Sequence, residues 1–292
     1  MRELFGGGQR RRLEGPVDLW ITCRKCGAMH YQPEFEAALR VCGKCAYHDR
    51  LSVADRLALL LDDPKAFEEV DADITAADPL GFERPSGPYR ERVAKARAQT
   101  GVNEAIVCGT GPLHRRTIAL GVMAFDFIGG SMGAATGEKI TRLFETALTR
   151  RLPLVIVTSS GGARQDEGLL ALMQMAKTSA AAARLSEAGV PYVCVLADPT
   201  LAGVTASFAA LADVIISEPG ATIRFAGSRV VQGTVQRGGP VEDHTAEWVL
   251  RHGMLDLVVP RRELKDTLAR TLGLLAPVAA PAGATPAATA AV

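Results

Sequence analysis

Three times along this chain a short β-branched or apolar run gives way to small residues and then to a helical pattern. The runs begin at about residues 117, 153 and 191. Strand, tight turn and helix in fixed succession build mainly parallel sheets with helices outside, so the chain reads as α/β. The middle unit is the clearest. Pro153-Leu154-Val155-Ile156-Val157 reads as a buried strand, and Thr158-Ser159-Ser160-Gly161-Gly162-Ala163-Arg164 follows it. A helix from Gln165 to Glu187 comes next, with Leu169, Leu172, Met173, Ala176 and Ala180 on its apolar stripe and Met173 and Met175 expected in the core. Gly189 and Pro191 stop it. Paired glycines at a strand-to-helix turn can aim free amides and the positive end of a helix dipole at one point. Such a point stabilises an oxyanion or enolate. A tight turn that needs φ > 0 would use the same glycines.

The second strong signal lies in the first fifty residues. Cys23-x-x-Cys26 and Cys42-x-x-Cys45 are separated by fifteen residues, the spacing of two zinc knuckles. Four thiolates close a tetrahedron and leave no open position, so the metal expected here is structural. His30 and His48 are read as surface or fold residues rather than ligands. Arg24, Lys25, Arg40 and Lys44 lie near the knuckles, so nucleic-acid contact, a lid and a docking surface all stay open for this module. Its borders are drawn at 17–52, between a flexible basic N-terminus (1–16) and a main domain (53–275). An Ala/Pro-rich tail expected to be disordered follows at 276–292.

Lys and Arg total 33 and Asp and Glu 32, so no overall field selects nucleic acid or membrane. No run of eighteen apolar residues occurs, and Met1–Gly6 lacks the apolar stretch of a signal peptide, so a cytoplasmic location is expected. Ser52 with Asp55 three residues on reads as a helix N-terminus. Residues 71–88 read as a loop-rich connector. Ala105–Gly109 and Thr117–Phe127 read as strands joined by a hairpin turn at Gly109-Thr110-Gly111-Pro112. Gly109-x-Gly111 lacks the third glycine of a dinucleotide fingerprint. Gly129-Gly130-Ser131-Met132-Gly133, before a helix at about 137–150, has the G-x-S-x-G form of a serine-hydrolase elbow. Asp198 with His244 or His252 could supply the other triad members, which makes a hydrolase using Ser131 the rival reading.

Cys23-Arg24-Lys25-Cys26, Cys42-Gly43-Lys44-Cys45, Asp126 through Gly133, Ser160 through Arg164, Met173 through Ser179, Asp198-Pro199-Thr200 and Phe225-Ala226-Gly227 together resemble the carboxyltransferase β subunit of bacterial acetyl-CoA carboxylase. The resemblance covers roughly residues 16–275. It implies a crotonase-like (ClpP-like) spiral of β-β-α units behind a zinc ribbon. It implies transfer of a carboxyl group from carboxybiotin on a biotin carboxyl carrier protein to acetyl-CoA, giving malonyl-CoA for fatty-acid synthesis. It implies an α subunit of the same fold, an α2β2 assembly with the site between subunits, and a separate biotin carboxylase for the ATP-dependent step. This chain carries no P-loop and no biotin-attachment motif.

In that chemistry the amides of Gly161 and Gly162, with Gly203 or Val204 as a second source, would hold the enolate oxygen. Removing one such donor costs about 2.7–4 kcal/mol elsewhere. Gly129, Gly130, Ser131, Met132 and Gly133 would line the coenzyme A arm. Arg164 would pair with a CoA phosphate or, structurally, with Asp166 or Glu167. The pattern departs from the family at Ala202-Gly203 (two glycines are usual), at Ser228 (proline is usual) and through Gln236–Ala246. A paralogue acting on another acyl-CoA, or an acyl-CoA decarboxylase, is therefore the alternative within the family.

Overall fold

A computed structural model describes residues 19–85, 87–225 and 244–276. The expected flexible segment 1–16, Ala226–Ser228, Gln236–Asp243 and residues 277–292 of the tail lie outside the described residues. The chain divides into two units, Met1–Asp49 and Arg50–Val292, with the border just before the expected one at 52/53.

In the first unit β1 (Trp20–Thr22) pairs antiparallel with β2 (Met29–Tyr31), and α1 (Gln32–Ala37) follows. Its buried apolar core is Cys23, Phe35 and Cys42. So small a core cannot hold a fold by hydrophobic burial alone.

The second unit opens with α2 (Val53–Leu60). Ser52 Oγ accepts from the Asp55 amide at 3.1 Å, and Asp55 Oδ2 accepts from the Ser52 amide at 3.2 Å, the reciprocal box the sequence indicates. Then come β3 (Glu68–Val70), α3 (Tyr89–Thr100), β4 (Ile106–Leu113), β5 (Arg116–Met123), α4 (Ala134–Arg150), β6 (Leu154–Ser160), α5 (Leu169–Glu187), β7 (Tyr192–Leu201), α6 (Ala202–Thr205), β8 (Val214–Ser217), β9 (Ile223–Arg224), α7 (Ala246–Arg251), β10 (Leu257–Val258) and α8 (Leu264–Leu275).

The sheet runs β10-β8-β7-β6-β5-β4-β3, parallel from β5 through β10 and antiparallel from β3 to β5. The parallel strands are buried on both faces, as helix-covered strands must be. Leu154 and Ile156 pack on the side of α4 and α5, while Val155 and Val157 pack with Leu268 and Leu272 of α8. Register shifts between Thr158 and Ser160. Beyond that point β7 leaves β8 and pairs β9 through Thr200 and Leu201. This bend brings the ends of β6 and β7 together, with the residues that follow them.

On the α2–α8 side a buried clamp ties three segments. Glu218, just past β8, accepts from Arg56 of α2 (Nη2–Oε2 2.9 Å) and from Arg261 ahead of α8 (Nε–Oε1 and Nη2–Oε2, both 2.7 Å).

Four expectations need correction. The hairpin turn lies at His114-Arg115, both with positive φ, and not at Gly109–Pro112, which continue β4. Gly109 is in the strand because a side chain there would collide with the Phe67 ring and the Glu68 carbonyl. In the third unit, whose apolar run begins at about 191, the small residues Asp198-Pro199-Thr200 still belong to the end of β7 and not to the turn expected after it. The long helix begins at Leu169, after a 3-10 turn at Gln165–Glu167. Most consequential, Leu169, Leu172 and Met173 are 70%, 53% and 55% exposed, while Ala171, Gln174, Thr178, Ala181, Ala182 and Leu185 face inward. At Gly137 the facing helix comes so close that an added Cβ would meet Gln174, so α5 turns its mostly small-residue side to α4 and its bulky side out.

Candidate functional site

In the first unit the two knuckles are the same turn used twice. The Gly27 amide donates to Cys23 O at 3.0 Å and the Ala46 amide to Cys42 O at 2.8 Å, with both donors at positive φ. All four Sγ atoms lie within 4.8 Å of one another. Cys23–Cys45 and Cys26–Cys42 are each 3.7 Å apart. A tetrahedron with zinc–sulfur bonds of about 2.3 Å has edges of about 3.8 Å, so the donor set fits zinc. Burial disfavours a charge on Cys42, but donors from Cys45 and Lys44 outweigh it and bring this thiol down to about 6. The Tyr47 amide favours a charge on Cys45, yet burial and the facing thiols push it up to about 12. Thiols this close cannot all ionise without a cation among them. His30 Nε2 sits 3.2 Å from Cys42 Sγ and stacks on Phe35, and His48 Nδ1 is 3.0 Å from Ala46 O. Neither belongs to the four-atom cluster. Arg24 and Arg40 both pair with Asp49, at 3.4 and 3.7 Å, which spends part of the basic charge near the knuckles.

In the second unit the loop after β5 and the loop after β6 are zipped together. The Met132 amide donates to Gly162 O at 2.8 Å and the Arg164 amide to Met132 O at 2.9 Å, a parallel bridge. The Gly161 amide donates to Gly129 O at 2.8 Å. The Gly162 amide donates to Ser160 Oγ at 3.0 Å, and that hydroxyl donates to Gly130 O at 2.6 Å. Gly161 and Gly162, expected to present free amides, therefore spend them inside the loop, because the bridge draws the two glycine segments into hydrogen-bonding range. The amide that this arrangement leaves is that of Ala163. A parallel bridge uses the groups flanking the central residue, so the Ala163 N–H points away from residue 132. The amides of Ala163 and Gly203 have no acceptor among the described residues. They lie close together, since a Cβ built on Gly203 would sit 3.2 Å from the Ala163 nitrogen. Both residues line a cleft of about 760 Å³ that Gly129, Ser131, Met175 and Phe225 also border.

The remaining expected residues divide. Gly129, Ser131 and Gly203 reach the cleft wall. Met132 is fully buried, Gly130 lies beneath Ser159, and Gly133 starts α4. Met173, expected in the core, is exposed, and Met175 lines the cleft. Arg164 is a correction as a phosphate ligand: it is 1% exposed, and its side chain is spent inward. Nη2 pairs with Glu104 and donates to Ser131 O at 2.7 Å. Nη1 donates to Tyr89 Oη at 3.0 Å and to Glu167 at 3.4 Å. Burial disfavours its charge, but Glu104 and Tyr89 outweigh that and raise its pKa. Asp166, the other partner considered, instead takes Arg84 and Arg92. Glu104 and Tyr89 carry no local sequence signal, since they lie sixty or more residues from Arg164 and only the fold joins them.

The serine-hydrolase reading loses its geometry. Ser131 Oγ donates to Ile128 O at 2.8 Å and accepts from Arg164 Nε at 3.2 Å, so a guanidinium stands where a base would be needed. His244 and His252 stack on the two sides of Trp248, at 4.1 and 3.7 Å. Asp198 Oδ1 accepts from the Thr222 amide at 2.9 Å.

At Ala202 the departure from the two-glycine pattern falls on a left-handed residue, φ +49°. Ala202→Gly should relieve about 1 kcal/mol of strain, a rise in Tm of roughly 2–4 °C for a domain of this size. Calorimetry checks it, and an unchanged or lower Tm would show that the methyl group's contacts outweigh the strain.

A parallel sheet whose strand-end loops present two main-chain amides without acceptors among the described residues to a cleft has the form of an oxyanion-binding α/β protein. Residues 75–259 match the Carboxyl transferase domain, and the chain belongs to that family. It is 44% identical over 281 residues to acetyl-coenzyme A carboxylase carboxyl transferase subunit beta 1 of Roseiflexus sp. (strain RS-1), covering 94% of this chain and 93% of that one. It is 48% identical to the beta subunit of Desulforudis audaxviator (strain MP104C), covering 90% and 94%. It is also 48% identical to the fused beta/alpha subunits of Frankia alni (strain DSM 45986 / CECT 9034 / ACN14a), covering 89% of this chain and 42% of that one. Among solved structures it resembles transcarboxylase 12S with methylmalonyl-coenzyme A bound (TM-score 0.62, 25% identity, 77% of this chain and 41% of that one). The fold is shared with the P. aeruginosa geranyl-CoA carboxylase beta subunit (TM-score 0.60, 22% identity, 82% and 40%). The crotonase-like fold expected from the resemblance is thus the one observed.

Proposed function

We propose that this chain is the β half of an acetyl-CoA carboxylase carboxyltransferase, which moves a carboxyl group from carboxybiotin on a separate carrier protein to acetyl-CoA and yields malonyl-CoA. The observation that carries this reading is the match to β subunits of that name along nearly the whole length of both chains. Carboxybiotin supplies the carboxyl group and, once it is lost, the base that takes the α-proton. The chain need not then provide a side-chain base. Its own task is to hold the thioester oxygen as negative charge develops there. The adjacent amides of Ala163 and Gly203 are suited to it, fixed before the reaction and set in a partly apolar cleft. Zinc bound by Cys23, Cys26, Cys42 and Cys45 serves structure only.

The bulky outward side of α5 suits a partner. Leu169, Leu172 and Met173 form an apolar surface next to the cleft-lining Met175, and an α subunit of the same fold would cover it in an α2β2 assembly. Carrier protein and biotin carboxylase complete the reaction outside this chain, and the ATP is spent there. No helix among the described residues is long and apolar enough to cross a membrane.

The test is reconstitution. The chain alone should be inactive, and adding the α subunit and carboxylated carrier should yield malonyl-CoA from acetyl-CoA. Ser131→Ala, which removes one of the two contacts the Arg164 fork makes with Ser131, should dent that activity and not abolish it. Its abolition would revive the hydrolase, and biotin-free turnover of malonyl-CoA by the isolated chain would make the protein a decarboxylase. Preference for a longer acyl-CoA would make it the paralogue.

A further inference from the structure

Beneath the two zipped loops lies a buried polar cluster whose own residues do not line the cleft. It consists of Tyr89, Glu104, Thr136, Arg164 and Glu167, each less than a tenth exposed. Arg164 immediately follows Ala163 and fixes the loop from below. Its fork holds Ser131 through Oγ (3.2 Å) and O (2.7 Å), so the guanidinium tethers the other glycine loop to its own. Glu104 accepts from Arg164 and from Thr136 Oγ1 at 3.0 Å. Glu167 Oε2 accepts from the Ala134 amide at 2.6 Å and so caps α4, a helix with no cap of its own.

Tyr89 joins the two halves. Its hydroxyl donates to Glu167 Oε1 at 2.5 Å and accepts from Arg164 Nη1 at 3.0 Å. Burial comes first among the causes that raise its pKa, so the hydroxyl keeps its proton and acts as a fixed link. The ring packs with Phe127 and Ile128 at the start of the Gly129–Gly133 loop. One hydroxyl thus couples the residue after Ala163 to the capped start of α4.

We infer that Tyr89 is a positioning residue for carboxyl transfer: it sets the Arg164 fork and thereby the direction of the Ala163 amide. This rests on the proposed role of that amide. The link contributes little to binding the thioester's remote parts, so its loss falls on the chemical step. In the assembled carboxyltransferase, Tyr89→Phe should lower kcat about tenfold and move KM for acetyl-CoA by less than about twofold, the signature of misplaced transition-state contacts. Calorimetric titration with an unreactive acetyl-CoA thioether counts intact sites, and kcat is expressed per site, so partial unfolding cannot imitate the effect. Thr136→Val, which takes a different hydroxyl from the same cluster at constant volume, should show the same kcat-only loss and serves if Tyr89→Phe does not assemble. A kcat per site within about twofold of wild type, or a fall in site number alone, overturns the inference. If the unmodified complex transfers no carboxyl group, the proposed function fails instead.

Discussion

A chelator at neutral pH should unfold residues 19–49 by removing the zinc proposed for the four-cysteine module, and the larger unit should keep its own melting transition. The module's buried core is Cys23, Phe35 and Cys42, with partly buried Ile21, Ala28, Cys45 and Tyr47 around it. Two of the three core residues belong to the cysteine cluster, so without an ion any thiolates there would repel one another. Apparent binding energies of structural zinc are about 10–16 kcal/mol in comparable small modules, far more than this core supplies. Cys42→Ser should give the same outcome. Colorimetric zinc release followed together with hydrogen exchange in residues 19–49 checks it. Full amide protection after the metal has left would show that the module folds unaided.

Glu218→Ala comes next in size, with an expected loss of about 3–5 kcal/mol, because Arg56 and Arg261 would be left buried without their counter-charge. Denaturant titration of the larger unit measures it, and a loss below about 1 kcal/mol would mean that water reaches the two guanidiniums. The same clamp predicts acid sensitivity. Burial alone would raise the Glu218 pKa, but the two arginines outweigh it and hold the carboxyl well below the usual range. A depressed folded-state pKa stabilises the fold fully above the unfolded value of about 4.3, and the contribution is lost as pH falls below it. Between pH 4.5 and pH 2, stability should therefore decline more steeply in the native chain than in a variant with Glu218, Arg56 and Arg261 replaced by apolar residues, by about the depression of that one pKa.

The sites differ in how far they could be read from the residues. The knuckles were legible because each is a local turn: Cys-x-x-Cys fixes its own geometry within five residues, and only the meeting of two such turns needs the fold. The glycine loops were legible as turns after strands, and their place at the ends of β5 and β6 followed from the apolar runs before them. Which amide faces the cleft was not legible. Gly161 and Gly162 are the conspicuous residues, yet their donors go to Gly129 O and Ser160 Oγ, and the amide left over is that of Ala163, whose side chain announces nothing. The orientation of α5 misled for a related reason. Leucines and methionines at helical spacing look like a core stripe, but close approach to α4 admits mainly small residues, so the large ones face outward.

From the sequence alone came the α/β unit, the paired cysteine knuckles and the family resemblance, all of which depend on neighbours along the chain. Tertiary structure alone decided that Arg164 is sealed against Glu104, that Ser131 faces a guanidinium, and that the free amides belong to Ala163 and Gly203. Hydrogen-bond donors are few and each is spent once. Where they are spent depends on segments thirty or more residues apart, whose approach no local pattern records.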